Sequence, residues 1–462
     1  MTIRNMITIM FPSTLRDRVR AAWRVVLGTC IGVFWLVTAC NSGQDVISGV
    51  VDIGSGNPSP NILLIIADDL GVDATPGYPV GVEKARMPTL TGLQAEGVIF
   101  DNFWAYPVCA PTRATILTGR HGIRTGVLSV GGDSPGIGLG ELSIQRLLSE
   151  STSYSNAVVG KWHLSDASNG GANNPNLMGV SHYIGLLAGA HQDYRNMRYV
   201  ENGQFATTTQ YSTSFFTDQA IAWLQDQSDP WFLWVAYTAP HTPFHLPPSE
   251  LHTRTELTED TGAIASDPLS YYLAAAEALD TEVGRLLAAV DRDRTVVIFI
   301  GDNGPPPRVA QAPLQPNKVK NSLYQGGIQV PLVVAGPRID RGGQREEALV
   351  SSTDLFATIA DLASADMGRV PVDSRSIKPL LVGGEVTLRD YIYAEVESDG
   401  GSWTVRNQRY KLLLLGDRGK ALYDLKADPY EENIPLQDPL DATTAEVRVA
   451  LDSAARGIRG RP

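Results

Sequence analysis

The sequence predicts an α/β protein in which helices cover both faces of a large, mostly parallel sheet. Three observations support this prediction. Short continuous apolar runs, which suit strands buried on both faces, alternate with segments of helical pattern. Strands that alternate with helices favour a parallel sheet covered on both sides. After about residue 385 the pattern changes to close-set short strands separated by turn residues, which indicates a small antiparallel C-terminal sheet.

The elements can be placed along the chain from these patterns. Strands of the large sheet are predicted over residues 61–67, 156–159, 231–237, 295–300 and 331–335. Helices are predicted over residues 88–96, 141–150, 214–227, 271–290 and 353–363. The C-terminal strands are predicted over residues 391–396, 403–406, 410–415 and 421–425, with a helix in the last residues. We therefore predict a large domain over residues 61–384 and a smaller C-terminal subdomain over residues 385–462.

Composition excludes several classes of protein. Of the 462 residues, 43% are hydrophobic and 19% are charged, and the formal net charge is −12. This is an ordinary globular composition, which excludes a disordered chain, collagen and a disulfide scaffold. The acidic balance argues against nucleic acid as a partner, because non-specific nucleic-acid binding needs a basic footprint.

The N-terminal segment predicts export. Five arginines between Arg4 and Arg24 precede an apolar run over residues 25–39, which is shorter than the roughly 20 residues of a membrane-spanning helix. The run ends at Ala39-Cys40 and resembles the lipobox of bacterial lipoproteins. The resemblance implies a signal peptide over residues 1–39, a lipid on the sulfur of Cys40, and a protein exported and anchored in the bacterial envelope, at the outer membrane because Asn41 follows. An uncleaved anchor helix is the alternative.

After that cleavage the chain would keep a flexible tether and one internal cysteine. Residues 40–60 are rich in Gly, Ser, Asn and Pro, which is typical of a tether. The chain has three cysteines, of which only Cys109 lies in the predicted folded body. An exported protein with one internal cysteine has no internal disulfide, so this thiol needs another explanation.

Cys109 opens the segment Cys109-Ala110-Pro111-Thr112-Arg113. Pro111 suits the first turn of a helix, which places Cys109 at the helix N-terminus, where backbone N–H groups favour an anion. Arg113 lies one turn on and on the same face, where it could bind a tetrahedral oxyanion or orient residue 109. A buried inert thiol with a surface arginine is the alternative.

Two pairs of oxygen-bearing side chains follow predicted strands. Asp68-Asp69 comes directly after the strand over residues 61–67, and Asp302-Asn303 follows the strand over residues 295–300. Sites in open parallel sheets form outside the carboxyl ends of strands, so both pairs can converge. Carboxylate and amide oxygens are the ligands that Ca²⁺ and Mg²⁺ prefer. Each pair alone is equally typical of a helix cap or a polar turn.

Basic side chains also follow strand ends. If the chain is extended at Lys161-Trp162-His163, Lys161 and His163 project to one side. His241 follows the strand over residues 231–237, and Lys318 and Lys320 lie in the loop after Asp302. Each alone is more typical of a structural histidine or a solvated lysine.

Taken together and in order, these motifs resemble the sulfatase family of the alkaline-phosphatase superfamily over roughly residues 61–435. Cys-x-Pro-x-Arg alone is a weak pattern, whereas the ordered series is specific. The matching segments are Asp68-Asp69, Cys109 to Arg113, Leu117-Thr118-Gly119-Arg120, Gly160-Lys161-Trp162-His163, Pro240-His241 and Gly301-Asp302-Asn303-Gly304. The chain departs from the family at Gln325 and Gln329, where Glu and Arg are commoner. The resemblance implies a mixed, mostly parallel alkaline-phosphatase-like sheet.

The resemblance also implies a mechanism. A maturation enzyme would oxidise Cys109 to formylglycine, and one hydroxyl of its hydrate would attack the sulfur of a sulfate monoester, displacing the alcohol and leaving a covalent sulfate ester. The other hydroxyl would then lose its proton, so that sulfate leaves as the aldehyde reforms. One Ca²⁺ (or Mg²⁺) would be held by Asp68, Asp69, Asp302, Asn303 and an oxygen of modified Cys109. The remaining roles would be Arg113 orienting the diol, Lys161 and Lys320 binding sulfate oxygens, His163 as base, and His241 with Lys320 as acid at the leaving oxygen. The substrate would be a sulfated small molecule or glycan.

Rival functions come from two classes. A phosphonate or phosphodiester hydrolase of the same superfamily can share the cysteine motif. A two-zinc phosphatase needs several imidazole ligands. The chain has only seven histidines in all, and position 303 carries Asn, which makes such a site less favoured. A lipoprotein that binds sulfated glycans without catalysis is the non-enzyme alternative. The side chains of Trp104, Tyr106, His182, His191 and His245 are candidates for lining a substrate pocket, with ordinary packing as the alternative for each.

Overall fold

The computed structural model describes residues 59–460, except residues 131–135, 188, 229, 369–372, 384–385 and 398–400. The predicted signal peptide and the predicted tether up to residue 58 lie outside the described residues. Within the described part, no helix combines the length and the apolar character that crossing a bilayer requires.

The strands and helices are numbered in chain order. The strands are β1 Asn61–Ala67, β2 Val98–Phe100, β3 Phe103–Trp104, β4 Ser155–Gly160, β5 His182–Gly185, β6 Met197–Glu201, β7 Gln204–Thr208, β8 Trp231–Ala236, β9 Thr295–Gly301, β10 Leu332–Ala335, β11 Gln344–Glu346, β12 Val350–Ser351, β13 Ile392–Val396, β14 Ser402–Arg406, β15 Tyr410–Leu414 and β16 Lys420–Asp424. The helices of six residues or more are α1 Pro88–Glu96, α2 Cys109–Thr118, α3 Ile144–Ser151, α4 Ser212–Gln225, α5 Thr261–Ser266, α6 Pro268–Ala288, α7 Asp354–Leu362 and α8 Ala442–Arg459.

One large sheet dominates the fold. In the described part of the chain, ten strands pair in the order β11-β2-β10-β9-β1-β8-β4-β5-β6-β7. The central strands β9, β1, β8, β4 and β5 run parallel to one another. Strand β10 runs antiparallel to β9, and the β6-β7 hairpin adds an antiparallel edge. The prediction of a mostly parallel, mixed sheet is confirmed.

Helices cover both faces of this sheet, which explains why its central strands are continuous apolar runs. All seven residues of β1 are buried, with Ile62, Leu64 and Ile66 in one core and Leu63 and Ile65 in the other. The first core is completed by side chains of α2, α3 and α7. The second core is completed by side chains of α1, α4 and α6.

The C-terminal residues form the predicted small antiparallel sheet. Strands β13, β14, β15 and β16 pair in chain order within the described part. Helix α8 packs on this sheet through Leu451 and Ala455, which join a cluster with Tyr393 and Trp403. The helix begins where the side chain of Asp441 accepts a hydrogen bond from Thr444 N.

Several elements differ from the sequence prediction. Short strands such as β2, β5 and β11 were not predicted, because their partners are distant in sequence and two to five residues carry little periodicity. The hairpin between β6 and β7 does have a sequence signal, the dipeptide Asn202-Gly203. Both residues have positive φ in the structure, as a type I′ turn requires. Two helix starts shift to a capping residue. Helix α3 begins after Ser143 and α6 begins after Asp267.

Candidate active site

Parallel pairing of β1 with β9 brings the two oxygen-bearing pairs together. Ala67 lies opposite Gly301 in the register, so both strands end at the same edge of the sheet. The backbone N–H of Asp69 donates to Asp302 Oδ1 at 3.0 Å, and Asn303 Nδ2 donates to Asp69 Oδ1 at 2.7 Å. All four side chains of this group, which includes Asp68, are fully buried.

Cys109 is the first residue of α2 and faces this group. The residue is 1% exposed. Its sulfur lies in a cluster with ligand atoms of Asp68, Asp69 and His241, all within 4.8 Å of one another. Burial raises the pKa of the Cys109 thiol to about 12, so the unmodified side chain stays protonated at neutral pH.

Arg113 is buried, which excludes the alternative of a surface arginine. Its Nη2 donates to Asp302 Oδ2 at 2.7 Å and its Nε donates to the same oxygen at 3.2 Å. Its Nη1 donates to the carbonyl of Lys161 at 2.7 Å. Arg113 therefore ties helix α2 to the chain that follows β9 and to the chain that follows β4.

Two lysines that are distant from each other in sequence contact the aspartates. Lys161 Nζ lies 2.6 Å from Asp68 Oδ2, and Lys320 Nζ lies 2.6 Å from Asp69 Oδ1. Lys318 instead donates to the carbonyl of Glu431 at 2.5 Å. Burial is the largest influence on Lys161 and Lys320 and by itself lowers each pKa, but the adjacent aspartate and the other negative groups of the site together raise each pKa above its ordinary value. Both lysines therefore carry a positive charge in the site.

The aspartates respond to the same neighbours. Burial by itself raises the pKa of Asp68, yet Lys161, His241 and Arg113 together lower it below its ordinary value. Burial and the nearby Asp68 raise the pKa of Asp302. The neighbouring cations thus favour the charged form of Asp68, whereas burial and the charge of Asp68 disfavour the charged form of Asp302.

His241 approaches the same aspartates with one nitrogen. Its Nε2 lies 3.5 Å from Asp69 Oδ2. Its Nδ1 lies 2.7 Å from the carbonyl oxygen of Thr242. Because a carbonyl only accepts, Nδ1 carries the proton of that bond, and Nε2 is the nitrogen that faces the site.

His163 is also placed at the site, but not as predicted. Its φ of 62° is left-handed, so the chain is not extended at His163, which was the condition for the expected common face with Lys161. Burial lowers the pKa of His163 well below its ordinary value, and the charges of Lys161 and Arg113 lower it further. A Cβ on Gly189 would lie 2.3 Å from His163 Nε2, so glycine is needed there for the ring to fit.

Tyr272 on α6 is a site residue that the sequence did not reveal. Its hydroxyl donates to the carbonyl of Asp69 at 2.8 Å and accepts from Gly71 N at 3.3 Å. These bonds hold Asp69, whose φ of 65° is left-handed and strained for a residue other than glycine. Helical spacing alone marks Tyr272 as an ordinary core residue, so no local signal could have found it.

The remaining candidates lie outside this cluster. Trp104 donates to Gln325 Oε1 at 3.0 Å, and Gln325 Nε2 donates to Gln329 Oε1 at 3.3 Å. A neutral amide pair therefore stands where the family commonly has Glu and Arg. Tyr106 is buried and hydrogen-bonds His121, while His182 begins β5 and is half-buried. His191 and His245 lie beside the turn that carries His241.

The residues present fit a hard divalent cation. Asp68 Oδ1 and Asn303 Oδ1 are buried and have no hydrogen-bond partner within the described part of the chain. Buried polar atoms normally have partners, so these oxygens are suited to a ligand. They lie with Asp69 and Asp302 in an all-oxygen set, which is the donor chemistry of Ca²⁺ and Mg²⁺.

An oxygen set suited to a divalent cation, a buried cysteine at a helix N-terminus and two charged lysines lie together at the carboxyl edge of an α/β sheet. The Sulfatase family model matches residues 60–365. The model described as N-sulphoglucosamine sulphohydrolase, C-terminal, matches residues 319–455. The chain belongs to the sulfatase family.

Individual relatives agree with this assignment. The chain is 28% identical over 379 residues to the uncharacterized sulfatase YdeN of Escherichia coli (strain K12), with 70% of this chain and 66% of that protein covered. It is 27% identical over 402 residues to arylsulfatase J of Mus musculus, with 78% and 65% covered. The matches thus span about two thirds of these two curated relatives. The crystal structure of Ps i-CgsB in complex with k-i-k-neocarrahexaose superposes with a TM-score of 0.75 at 25% identity, covering 87% of this chain and 93% of that one.

Proposed function

We propose that this protein hydrolyses sulfate monoesters, with residue 109 as the nucleophile after conversion of Cys109 to formylglycine. The observation that carries the proposal is the cluster of Cys109, Asp68, Asp69 and His241, whose ligand atoms lie within 4.8 Å of one another. Membership of the sulfatase family supports it. The formyl group, once hydrated, supplies a hydroxyl nucleophile and a second hydroxyl that allows sulfate to leave.

The same proposal assigns a cation to the oxygen set. Asp68, Asp69, Asp302 and Asn303, with an oxygen of modified residue 109, would hold one Ca²⁺, and Mg²⁺ has the same preference for oxygen ligands. The cation supplies positive charge for a sulfate oxygen and lowers the pKa of the attacking hydroxyl. The two unpartnered buried oxygens of Asp68 and Asn303 support this assignment.

Three cationic side chains would bind and orient the reacting groups. Lys161 and Lys320 keep their charge beside Asp68 and Asp69, so each can donate hydrogen bonds to sulfate oxygens. Arg113 is held by three hydrogen bonds to two acceptors, Asp302 Oδ2 and the carbonyl of Lys161, and lies one turn from residue 109, where it would orient the hydrated side chain. Because these groups are fixed before substrate arrives, they cost little reorganisation during reaction.

The two histidines would move the protons. His163 is neutral at neutral pH because its pKa is lowered, so it can accept the proton of the second hydroxyl. His241 presents Nε2 to the site while its Nδ1–H bonds the Thr242 carbonyl, so in its doubly protonated form it would donate the Nε2 proton to the leaving oxygen, with help from Lys320. Neutral base and proton donor thus lie on different loops of one edge of the sheet.

Turnover of three esters tests the reaction. Protein expressed with a formylglycine-generating enzyme is assayed with 4-nitrophenyl sulfate, 4-nitrophenyl phosphate and a phenylphosphonate ester, and the mass of the Cys109 peptide is measured in parallel. We expect sulfate to be hydrolysed fastest and the peptide to carry the aldehyde. Faster phosphonate turnover would favour the rival hydrolase. A plain thiol in protein from its native host, without turnover, would favour a lipoprotein that only binds sulfated glycans.

We further propose that the substrate is a sulfated small molecule or glycan, and that the protein is exported and lipid-anchored in a bacterial envelope. The basic segment, the apolar run and Cys40 support export and lipidation. Fractionation tests the anchor. Wild-type protein should sediment with outer membranes, and the Cys40→Ser variant should not carry lipid on residue 40.

A further inference from the structure

A tight turn connects two parts of the candidate site. It spans residues 238–241 and is closed by a hydrogen bond from His241 N to the carbonyl of Thr238 at 2.9 Å. The carbonyl of Ala239, inside the turn, accepts a hydrogen bond from the backbone N–H of Asp68 at 3.1 Å. The position of His241 therefore depends on how firmly this turn is held.

The hydroxyl of Tyr194 contacts both ends of the turn. Its oxygen lies 2.7 Å from the carbonyl oxygen of Thr238 and 2.7 Å from that of His241. Both partners only accept, so the single phenol proton serves the two carbonyls. Tyr194 is 2% exposed, and burial raises its pKa well above its ordinary value, so the hydroxyl keeps its proton and is shielded from bulk water.

Aromatic packing fixes the ring of Tyr194 independently of its hydroxyl. The ring stacks on His245 with centroids 3.9 Å apart, and Tyr211 lies 5.9 Å away on a nearly parallel plane. Tyr211 Oη also lies 3.0 Å from His245 Nε2. His191, whose ring is 4.6 Å from Tyr194, places Nε2 2.7 Å from Thr238 Oγ1. Removing the hydroxyl of Tyr194 would thus leave its ring in place.

We propose that Tyr194 is a positioning residue whose hydroxyl holds the 238–241 turn, so that His241 Nε2 is aligned to donate a proton to the leaving oxygen. The inference rests on the proposed sulfate-ester hydrolysis. Tyr194 acts only through the backbone of the turn. A displacement of about 1 Å at a catalytic group can cost about 10²-fold in rate, so the loss of two hydrogen bonds to the turn is enough to matter.

The dependence of kcat on the leaving group distinguishes a positioning role of Tyr194 from a role in stability alone. Tyr194→Phe and the matched control Tyr211→Phe each remove one buried hydroxyl from the same aromatic cluster, but only the first touches the turn. With aryl sulfates of increasing phenol pKa, we expect Tyr194→Phe to lower kcat about 30-fold for phenyl sulfate and at most about threefold for 4-nitrophenyl sulfate, because a stable phenolate needs little proton donation. Tyr211→Phe should keep the wild-type dependence on phenol pKa.

A double variant tests the link to His241. In a His241→Ala background, Tyr194→Phe should cause no further loss, since the group it positions is gone. Thermal melting of each variant confirms that it is folded. If Tyr194→Phe melts below the assay temperature, His191→Phe removes the other side-chain hydrogen bond to the turn and should steepen the same dependence to a smaller degree.

The outcomes separate this inference from the proposed function. An active wild-type enzyme with equal losses for all aryl sulfates in Tyr194→Phe, or with the same steepening in Tyr211→Phe, overturns the role of Tyr194 alone. A wild-type protein with formylglycine that hydrolyses no sulfate ester overturns the proposed function, and this inference with it.

Discussion

Helix α2 has a carboxylate near each end, fully buried at Asp68 and partly buried at Asp373, and the two carboxylates use their oxygens differently. Near its N-terminus, Asp68 pairs with Lys161 through Oδ2, while Oδ1 has no hydrogen-bond partner within the described residues. Beyond its C-terminus, Asp373 pairs with Arg124, and both of its oxygens accept hydrogen bonds. Both are ion pairs of ordinary residue types, but only in the Asp373 pair do both carboxylate oxygens accept hydrogen bonds.

The difference distinguishes a ligand site from a structural contact. An unpaired buried polar atom costs about 1–3 kcal/mol, so a pair that serves only stability is expected to use every oxygen, as Asp373 does. Asp68 Oδ1 makes no hydrogen bond within the described residues; its nearest cation is Arg113 Nη2 at 3.9 Å, and it lies beside the cluster around Cys109. Such strained and incompletely paired groups gather where a protein binds or reacts.

The largest effect is expected at the nucleophile. Cys109→Ala removes the side chain that would become formylglycine, so kcat for 4-nitrophenyl sulfate should fall at least about 10³-fold. The substitution removes a single buried atom, so the melting temperature should stay within about 4 °C of wild type. Retained turnover in this variant would contradict the assignment of residue 109.

Calcium linkage contrasts the two carboxylates directly. A ligand that binds only the folded state stabilises it by about 2.7 kcal/mol at 100 times its Kd. Added Ca²⁺ should therefore raise the melting temperature of wild type and of Asp373→Asn, but not of Asp68→Asn, which lacks one charged ligand. An equal rise in all three proteins would place the cation elsewhere.

The structural pair should affect stability more than activity. Asp373→Asn weakens the contacts with Arg124 and with His121 N, so the free energy of unfolding should fall by about 1–3 kcal/mol. The kcat/KM of the folded variant should stay within about threefold of wild type, since Asp373 lies outside the site. Denaturant unfolding and steady-state kinetics measure the two quantities. A large loss of activity without a loss of stability would make this end of α2 part of the site.

The smallest expected effect is the change of kcat with pH near neutrality. The pKa of His163 is well below 6.5, because burial and the charges of Lys161 and Arg113 disfavour its protonated form. A base is lost only when pH falls through its pKa, so kcat should change less than about twofold between about pH 7.5 and pH 6.5 and decline at lower pH. A decline centred near pH 6.5 would indicate an ordinary histidine as the base.

The sequence predicted the core of the fold and the residues that meet at the edge of the sheet. Continuous apolar runs identified β1, β4, β8, β9 and β10, because strands buried on both faces leave that pattern. The acidic pairs were found because strand ends in parallel sheets share an edge. The short strands β2, β5 and β11 were missed, since their pairing depends on remote partners.

Contacts between distant segments account for what sequence reasoning could not supply at the site. The family resemblance favoured Lys320 over Lys318, and the structure places Lys320 Nζ 2.6 Å from Asp69 Oδ1. The extended backbone on which a common face of Lys161 and His163 was predicted is not adopted at His163, whose φ of 62° is left-handed. Tyr194 and Tyr272 were missed, because one meets His241 across 47 residues and the other meets Asp69 across 203.

The sequence by itself determined the fold class and the kinds of side chain available at the sheet edge, because periodicity and strand-end position are local properties of the chain. Only the tertiary structure decided which oxygens remain unpaired, which nitrogen of His241 faces the site and which tyrosine holds its turn. Those properties arise when segments that are far apart in sequence pack within hydrogen-bond distance, and local pattern carries no record of that packing.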